Sequence, residues 1–492
     1  MGVYSIKLEN ETQTQTQIEP ETPENLTQWG LKLEEIKKLV ERLEDFWRRH
    51  SQHTRTKTRD TSYYGHQYIS GLIRMETKRN MTNIARKTDV SPQNMQHFIS
   101  NSPWSAQALI ESIQSDIATR SEFQEESVLL LDESADQKAG KHSAGAGRQH
   151  NGRLGKVEMS QVGVFLSLVN MGYHSWIAGE LYLPKHWFTA DYAGYRARVG
   201  IPPARHFQTK LELGLQMIEQ AKANGIPFAA VDFDNLYGRK GWLRDELAKN
   251  QIEYYADTPA NTQVYLSEPT VVWPLTHNGK KMKTYRVSSP FPFQVKDLLK
   301  RPDTQWHTIS LRPNERGFLT ADFARRRVWT VRDDGSLRQE WLLIRQQAKR
   351  ATYSFSNAAE DTPLLTMAKR KSQRYFVERS NQDAKSELGW DEFQAIMYRA
   401  WRHQLALTIA ASWFITETRL DWARDYAHDP KLLAHYEIDV LPNLSMSNVR
   451  ELLRAAMPLP QLSPRDAACL VVKHLDNRTR SRRSRLKRTR SP

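Results

Sequence analysis

The stretch SVLLLDES, residues 127–134, marks a change in the periodicity of the chain. Four consecutive apolar residues precede two acids, and a short apolar run bounded by polar residues is typical of a buried strand. Upstream of this stretch the apolar residues recur at helical spacing, as they do from Leu33 to Trp47. The sequence therefore predicts that a sheet begins near residue 127.

Further strand-like segments follow, and helical segments separate some of them. VEMSQVGVFLSLVN and HSWIAGELYLP read as strands, and a helix at about 205–224 leads into the buried strand PFAAVDFDN. The helical pattern GWLRDELAKN then precedes the strand IEYYAD. Strands joined by helical crossovers predict an α/β core with a mixed sheet.

Two of the buried strands end in carboxylates, Asp132 in LLLD and Asp234 in AVDFD. Acids at the carboxyl ends of strands lie on the sheet edge where α/β proteins place their ligands. Glu133 and Asp136 are the alternatives to the first acid. Asp232 is the alternative to the second, since residues two apart in a strand share a face.

The later segment KSQRYFVERSNQDAKSELGW, residues 371–390, predicts a helix with two stripes. At about 100° per residue, Arg374, Glu378 and Lys385 fall on one stripe, about 80° from a narrow apolar stripe. Glu378 therefore lies at the margin of the buried face, between two cations. The other two acids of the segment are expected to project to the far side: Asp383 and Glu387.

Three converging carboxylates make a candidate metal site. The chain has one Cys and no evident His cluster, so the donors would be oxygens, which suit Mg²⁺ or Mn²⁺. Two such ions about 4 Å apart can activate a water or a hydroxyl in phosphodiester chemistry. We expect two ions, held by Asp132, Asp234 and Glu378.

The overall composition narrows the class of protein. With 492 residues, 39% of them hydrophobic, the chain can bury a large core. Its 71 Lys and Arg exceed its 56 Asp and Glu, and the formal charge of +15 favours a nucleic-acid partner. A single Cys excludes a disulfide framework. No apolar run reaches membrane-spanning length and no apolar leader opens the chain, which predicts a cytoplasmic protein.

Changes in composition divide the chain into segments. A helical N-terminal DNA-binding region contains a possible helix-turn-helix at about 82–100, and the sheet-forming core is interrupted by a β-rich, basic stretch. The expected boundaries are a disordered lead-in (1–27), the helical N-terminal region (28–125), the first part of the core (126–259), the β-rich insertion (260–360), the last part of the core (361–420), a helical C-terminal region (421–477) and a basic tail (478–492).

The acids and their surroundings resemble the DDE transposases of bacterial insertion sequences, in the branch with a Tyr, Arg, Glu and Lys signature around the last acid. Arg374, Glu378 and Lys385 match its spacing, with Arg four before and Lys seven after the Glu. GKHSAGAGRQHNGRLGKVEMSQVGV, DNLYG and VERSNQDAKSELGWDEFQ look like the corresponding family blocks. The resemblance covers about residues 80–415 and implies a ribonuclease H-like core with a β-rich insertion before the Glu. It also implies a bacterial protein that is nucleoid-associated when DNA-bound.

The chain departs from this signature at one position, where Lys371 stands in place of the Tyr. A phosphate contact survives that change, whereas an aromatic contact does not. An insertion-domain Trp of related enzymes stacks on a flipped base, which makes two Trp candidates here. The candidate DNA contacts are Arg374, Lys385, Lys371, Lys141, His142, Trp329 and Trp341. His142 and His403 are expected to be structural or phosphate-contacting rather than metal ligands.

The leading hypothesis is an enzyme that binds the terminal inverted repeats of its element, cuts by metal-dependent hydrolysis and joins the 3′-OH to target DNA. Two ends must be paired, so a homodimer in a paired-end complex is expected. A DNA-binding protein without catalysis, derived from such an enzyme, is one alternative, and a nuclease or resolvase on the same core is another. Three intact acids favour catalysis, and the β-rich insertion favours transposition.

Overall fold

A computed structural model describes most of the chain from residue 33 to residue 480. The positions outside the description are 1–32, 125, 153, 276, 279, 281, 283, 315–316, 349, 427–444, 459–464, 466, 470, 473–474, 477 and 481–492. The predicted lead-in and nearly all of the basic tail therefore lie outside the described residues.

The N-terminal region consists of helices that pack against one another. They are α1 (Leu33–His50), α2 (Ser62–Arg74), α3 (Met81–Lys87), α4 (Pro92–Ser100) and α5 (Ala106–Ala118). Asn80 caps the start of α3 by accepting a hydrogen bond from the Asn83 amide. A short connection joins α3 to α4, and Asp89 in it adopts a left-handed conformation with φ 55°. These two helices coincide with the possible helix-turn-helix.

The first part of the core builds a mixed sheet. Its strands are β1 (Val128–Gln137), β2 (Gly147–Asn151), β3 (Lys156–Asn170), β4 (Tyr173–Leu181), β5 (Ala230–Phe233) and β6 (Tyr254–Thr258). The order β4-β3-β1-β5-β6 combines antiparallel pairing of β1 with β3 and parallel pairing of β1 with β5 and β5 with β6. The predicted mixed sheet is confirmed.

Helices connect β4 to β5 and β5 to β6. They are α6 (Ala193–Val199), α7 (Lys210–Ala223), α8 (Asn235–Gly238) and α9 (Gly241–Lys249). Thr209 and Glu212 form a capping box that fixes the start of α7 before β5. At Gly238 a Cβ would lie 2.2 Å from the carbonyl oxygen of Asp257, so only glycine lets α8 pack this closely on β6.

The strand that carries Asp132 is longer than the sequence predicts. Parallel pairing with β5 ends at Leu131, but antiparallel pairing with β3 continues to Gln137. Asp132 is therefore not the last residue of its strand. It is the first residue of β1 beyond the reach of β5, and so it still lies at the edge of the parallel part of the sheet.

The β-rich stretch extends this sheet. It contains β7 (Gln263–Val264), β8 (Thr270–Val272), β9 (Arg286–Ser289), β10 (Phe293–Gln294), β11 (His307–Asn314), β12 (Gly317–Val331), β13 (Leu337–Gln347) and β14 (Arg350–Ser356). Strand β14 pairs antiparallel with β6, and β11 to β14 thereby continue the core into one sheet of ten strands. The β-rich stretch thus shares its main sheet with the core.

Helices return after β14. They are α10 (Leu364–Ser372), α11 (Tyr375–Gln382), a π-helical turn (Asp383–Glu387), α12 (Tyr398–Tyr426) and α13 (Met446–Ala456). The single helix expected over residues 371–390 is thus interrupted after Ser372 and widened from Asp383. In the described part of the chain, no helix combines the length and the apolar character needed to cross a membrane.

Helix α12 connects the N-terminal helices to the sheet. The Tyr68 hydroxyl donates to Gln404 Oε1 at 2.5 Å, and the rings of Trp104 and His403 stack with centroids 3.7 Å apart. Both His403 ring nitrogens lie within 3.0 Å of backbone carbonyl oxygens of the N-terminal region. His403 therefore has a structural role in this packing.

Candidate active site

Two aspartates lie side by side at the edge of the parallel strands. Leu131 on β1 pairs with Phe233 on β5, so the residues that follow them, Asp132 and Asp234, occupy neighbouring positions on adjacent strands. Such positions are about 4.8 Å apart along the hydrogen-bonding direction. Asp234 also begins α8, where its side chain accepts a hydrogen bond from the Leu236 amide at 2.9 Å.

The environment of Asp132 disfavours its ionised form. Burial is the main cause that raises the pKa of Asp132 to about 7; Arg374 opposes this shift, and Asp234 and Glu133 add to it. A cation at this position would favour the ionised form. The two adjacent aspartates therefore have the donor type and the electrostatics that suit a divalent metal ion.

Each alternative acid has a lysine partner. Lys210 Nζ lies 3.0 Å from Glu133 Oε1, and Lys385 Nζ lies 3.1 Å from Asp136 Oδ1. Asp232 is fully buried, and Lys371 pairs with it. These contacts favour Asp132 and Asp234 over the alternatives.

Arg374 lies close to the two aspartates but pairs with neither. Burial disfavours its charge, yet the surrounding carboxylates raise the pKa of Arg374 above its usual value; they are Asp132, Asp232, Asp257 and Asp234. Within the part of the chain that the structure describes, its guanidinium makes no ion pair and its buried Nε has no hydrogen-bond partner. A half-buried guanidinium of this kind can bind an anion.

Glu378 is exposed on α11. Three residues later, Asn381 Nδ2 donates to Asp132 Oδ2 at 3.3 Å, while Asn381 Oδ1 accepts from Trp176 Nε1 at 3.1 Å. At about 100° per residue, Arg374, Glu378 and Asn381 lie within about 60° on one face of the helix. Glu378 thus shares the helix face that contacts Asp132.

The structure does not bring the third acid into contact with the first two. Among the described residues, no three His, Cys, Asp or Glu side chains are close enough together to hold one ion. The structure therefore joins Asp132 and Asp234 in one site and places Glu378 on the neighbouring helix, directed to solvent.

Lys385 lies in the π-helical turn after α11. Its Nζ contacts Asp136 at 3.1 Å and donates to the carbonyl oxygen of Ala135 at 3.2 Å. Single π-helical turns inside α-helices occur frequently at functional sites. Here the turn follows Glu378 and contains Lys385, which contacts the far half of β1.

The environment of Lys371 differs from the one expected for a DNA contact. Its side chain is only 5% exposed, and its Nζ lies 2.8 Å from Asp232 Oδ1 and 2.6 Å from Asp257 Oδ1. The two carboxylates that hold this lysine are those of the buried Asp232 and the half-buried Asp257. The structure therefore presents Lys371 as a buried counter-ion.

The remaining candidates lie outside this cluster. Lys141 and His142 are exposed on the loop after β1, where Lys141 Nζ is 5.9 Å from the centroid of the Tyr195 ring. Trp329 is half-buried and forms an isolated bridge to Tyr265. The half-buried ring of Trp341 has two guanidinium groups near it, at 4.3 and 5.1 Å: Arg325 and Arg327.

Three further residues lie beside the site that were not among the predicted ones. Asn381 falls on the same stripe as Arg374, so the helical wheel contained its signal. Asp257 lies one residue before the end of β6 and follows the strand-like run IEYYA, so it resembles the two catalytic candidates in its position. Tyr237 stands in DNLYG, and burial together with the nearby Glu133 carboxylate raises its pKa well above the usual value.

A family described as DDE superfamily endonuclease matches residues 50–317, which is more than half of the chain. The chain belongs to the DDE superfamily of endonucleases. The match contains Asp132 and Asp234, and it ends before Glu378. The ribonuclease H-like core expected from the sequence is thereby confirmed. Members of the DDE superfamily use divalent metal ions, and the oxygen donors of Asp132 and Asp234 fit such ions.

A curated relative is a probable transposase for insertion sequence element IS701 from Microchaete diplosiphon. It is 26% identical over 197 residues, which are 39% of this chain and 48% of the relative. The match thus spans about half of the relative's length. It confirms the resemblance to insertion-sequence DDE proteins, while the Tyr, Arg, Glu and Lys branch stays a prediction.

Proposed function

We propose that this DDE endonuclease is a transposase that binds the terminal inverted repeats of its element, cleaves the DNA strand there and joins the 3′-OH to target DNA. The observation that carries the proposal is the adjacent pair Asp132 and Asp234, with the guanidinium of Arg374 beside it, which makes no ion pair with any described residue. This arrangement can hold cations and a phosphate together. The formal charge of +15 suits a DNA substrate.

Asp132, Asp234 and Glu378 are the proposed ligands of two divalent ions, Mg²⁺ or Mn²⁺. When bound, such ions activate the attacking water or 3′-OH and stabilise the leaving oxygen. Asn381 holds Asp132 in a fixed orientation through its amide hydrogen bond. A change of side-chain rotamer at Glu378, which is exposed on the same helix face, would complete the set of ligands.

Arg374 is the proposed clamp on the scissile phosphate. A guanidinium can donate two parallel hydrogen bonds to phosphate oxygens, whereas a lysine acts as a point charge. Lys385 would then contribute charge from the π-helical turn without leaving Asp136. Lys141, His142, Trp329 and Trp341 stay candidates for contacts farther along the DNA.

Helices α3 and α4 are the proposed readers of the terminal repeats. Helix α4 exposes a row of polar side chains able to hydrogen-bond base edges in a major groove: Gln93, Asn94, Gln96 and His97. Arg86 and Lys87 are exposed near the end of α3, where they could contact phosphates. Two ends must be brought together, so we expect a homodimer in the paired-end complex.

The test uses labelled end DNA with the variants Asp132→Asn, Asp234→Asn and Glu378→Gln. We expect each variant to bind end DNA in a gel shift, because few contacts with the DNA phosphates depend on these acids. Each variant should nevertheless lose Mg²⁺-dependent cleavage. Asp333→Asn, which changes an exposed acid in the β12–β13 turn, is the matched control and should cleave normally. Normal cleavage by one of the three variants would remove that residue from the site.

A second assay separates transposition from simple cleavage. Pre-cleaved ends with a free 3′-OH are incubated with plasmid DNA and Mg²⁺, and joined products are counted. A transposase joins these ends, whereas a nuclease or resolvase on the same core cuts without joining. A DNA-binding protein without catalysis would do neither.

A further inference from the structure

Lys371 belongs to a buried charge group behind the active site. We call this group the buried triad; it consists of Lys371 on α10, Asp232 on β5 and Asp257 on β6. The lysine Nζ is 2.8 Å from one carboxylate and 2.6 Å from the other. Ser354 Oγ also donates to Asp257 at 2.6 Å, which fixes that carboxylate in place.

The two carboxylates of the triad interact electrostatically with Arg374. Arg374 follows Lys371 by three residues, and its amide donates to the Lys371 carbonyl oxygen at 3.2 Å in the turn between α10 and α11. The carboxylates of Asp232 and Asp257 raise the pKa of Arg374, yet its guanidinium pairs with neither of them in the described structure. Both acids are already held by Lys371.

Loss of the Lys371 ammonium would change how the neighbouring charges pair. Two carboxylates in a medium of low dielectric would attract a neighbouring cation strongly, and Arg374 is a cation on which both acids already act. Asp232 Oδ2 is buried and has no hydrogen-bond partner among the described residues, so it could accept a hydrogen bond. A guanidinium that turned to these acids would no longer face the sheet edge where Asp132 and Asp234 lie.

We propose that Lys371 is a positioning residue that occupies Asp232 and Asp257 and so leaves the guanidinium of Arg374 free for the scissile phosphate. This inference rests on the proposed role of Arg374 at that phosphate. It also gives a reason for the lysine at the signature's tyrosine position, since two acids lie within contact distance of it. Lys371 then acts through Arg374 and does not touch the DNA.

The test measures DNA contacts without relying on cleavage. Each phosphate contact adds about 0.9 to the slope of log affinity against log salt, so the slope counts the cations that reach the DNA. Binding of labelled end DNA is measured with Ca²⁺ in place of Mg²⁺, for Lys371→Met, Arg374→Gln and the double variant. Cleavage rates with Mg²⁺ are measured in parallel.

We expect Lys371→Met and Arg374→Gln each to flatten the slope by about 0.9, and the double variant to flatten it by the same amount. Adding Asp257→Asn to Lys371→Met should restore the slope and raise the cleavage rate at least tenfold over that of Lys371→Met. Arg370→Met is the matched control, because Arg370 lies on the same helix and pairs with Glu126 and Glu253. It should leave the slope unchanged.

Three results would overturn the inference or its premise, and they differ from one another. Flattening by about 1.8 in the double variant would mean that Lys371 itself contacts a phosphate. An unchanged slope in Lys371→Met would leave the lysine a purely structural role. An unchanged slope and normal cleavage in Arg374→Gln would instead refute the proposed function of Arg374.

Lys371→Met leaves two acids without their cation and could fail to fold. The variant that combines it with Asp257→Asn removes one buried charge of each sign and serves as the second measurement. It should keep the wild-type slope, because a single remaining acid competes less strongly for Arg374. A slope flattened by about 0.9 in this variant would refute the positioning role.

Discussion

Replacing Asp132 with asparagine should make the metal-free protein more stable, and more so as the pH rises. Burial raises the pKa of Asp132 from its ordinary 3.8 to about 7. The folded state therefore holds a proton that the unfolded state releases. As the pH rises from about 4 to about 7, the free energy of unfolding falls, and above pH 7 the loss is complete. Asparagine has no proton to lose, so Asp132→Asn escapes this penalty.

The size of the effect follows from the two pKa values. A difference of about three pKa units, at 1.36 kcal/mol per unit, corresponds to about 4 kcal/mol above pH 7. At pH 5 only about 1.5 kcal/mol of this penalty has developed. The gain of Asp132→Asn over the wild type should therefore be about 2 to 3 kcal/mol larger at pH 8 than at pH 5.

The assay is urea or thermal unfolding of both proteins in EDTA at the two pH values. Asp116→Asn is the control with the opposite sign. Burial opposes the ionised form of Asp116, but contacts with His50, Trp413 and Arg49 prevail and lower its pKa to about 2. Its stabilising effect is present above pH 4 and is lost as the pH falls towards 2, so Asp116→Asn should be destabilised equally at pH 5 and pH 8. A gain for Asp132→Asn that is the same at both pH values would refute the reasoning.

Four other outcomes are expected. Asn381→Ala should lower cleavage about ten- to a hundredfold in the labelled-end assay without changing end binding, because it releases a proposed metal ligand. Asp383→Ala should cost about 3 to 5 kcal/mol in urea unfolding, since Asp383 is buried between His174 and Arg379. EDTA should abolish cleavage but not end binding in a gel shift, and Mg²⁺ or Mn²⁺ should restore it. Removal of residues 478–492 should flatten the salt dependence for end DNA and random DNA alike.

The sheet and the two aspartates could be read from the sequence because each depends on local pattern. An apolar run of strand length must be buried, and the acid that follows such a run must lie near the edge of the sheet. The adjacency of Asp132 and Asp234 needed one further fact, the parallel pairing of β1 with β5. The sequence implied this pairing through the helical crossover before β5.

The helix that carries Glu378 was predicted less completely. Its stripes were read as one continuous helix, but α10 ends at Ser372 and a π-helical turn begins at Asp383. Neither break contains a Pro or Gly, the residues that usually mark the end of a helix in a sequence. Tertiary contacts hold the π-helical turn in place: Asp383 pairs with His174 on β4, and Lys385 contacts Asp136 on β1. Those partners lie more than 200 residues away in sequence, so no local pattern contains them.

The ion-pair partners of Lys371 likewise could not be predicted from local sequence. Spacing from Glu378 placed this lysine in a DNA-binding signature, and spacing cannot show which anion a cation meets. Its partners, Asp232 and Asp257, come from two strands that only the folded sheet brings beside α10. Asp232 was considered as a metal ligand because alternation put it on the same face as Asp234. Its contact with Lys371 bears on both predictions together, because a lysine paired with this acid is engaged inside the protein.

The charges of the site are consistent with this division of roles. Lys371 lies between the two acids of the buried triad and contacts both, and Arg374 is near these acids without pairing with either. Asp132 and Asp234 then have no cation paired with them among the described residues, and Glu378 would add a third acid to the site. Such a site repels a phosphate until divalent cations arrive, and it attracts one afterwards. Cleavage should therefore require metal binding before the scissile phosphate can settle beside Arg374, whereas end binding by the N-terminal helices should not.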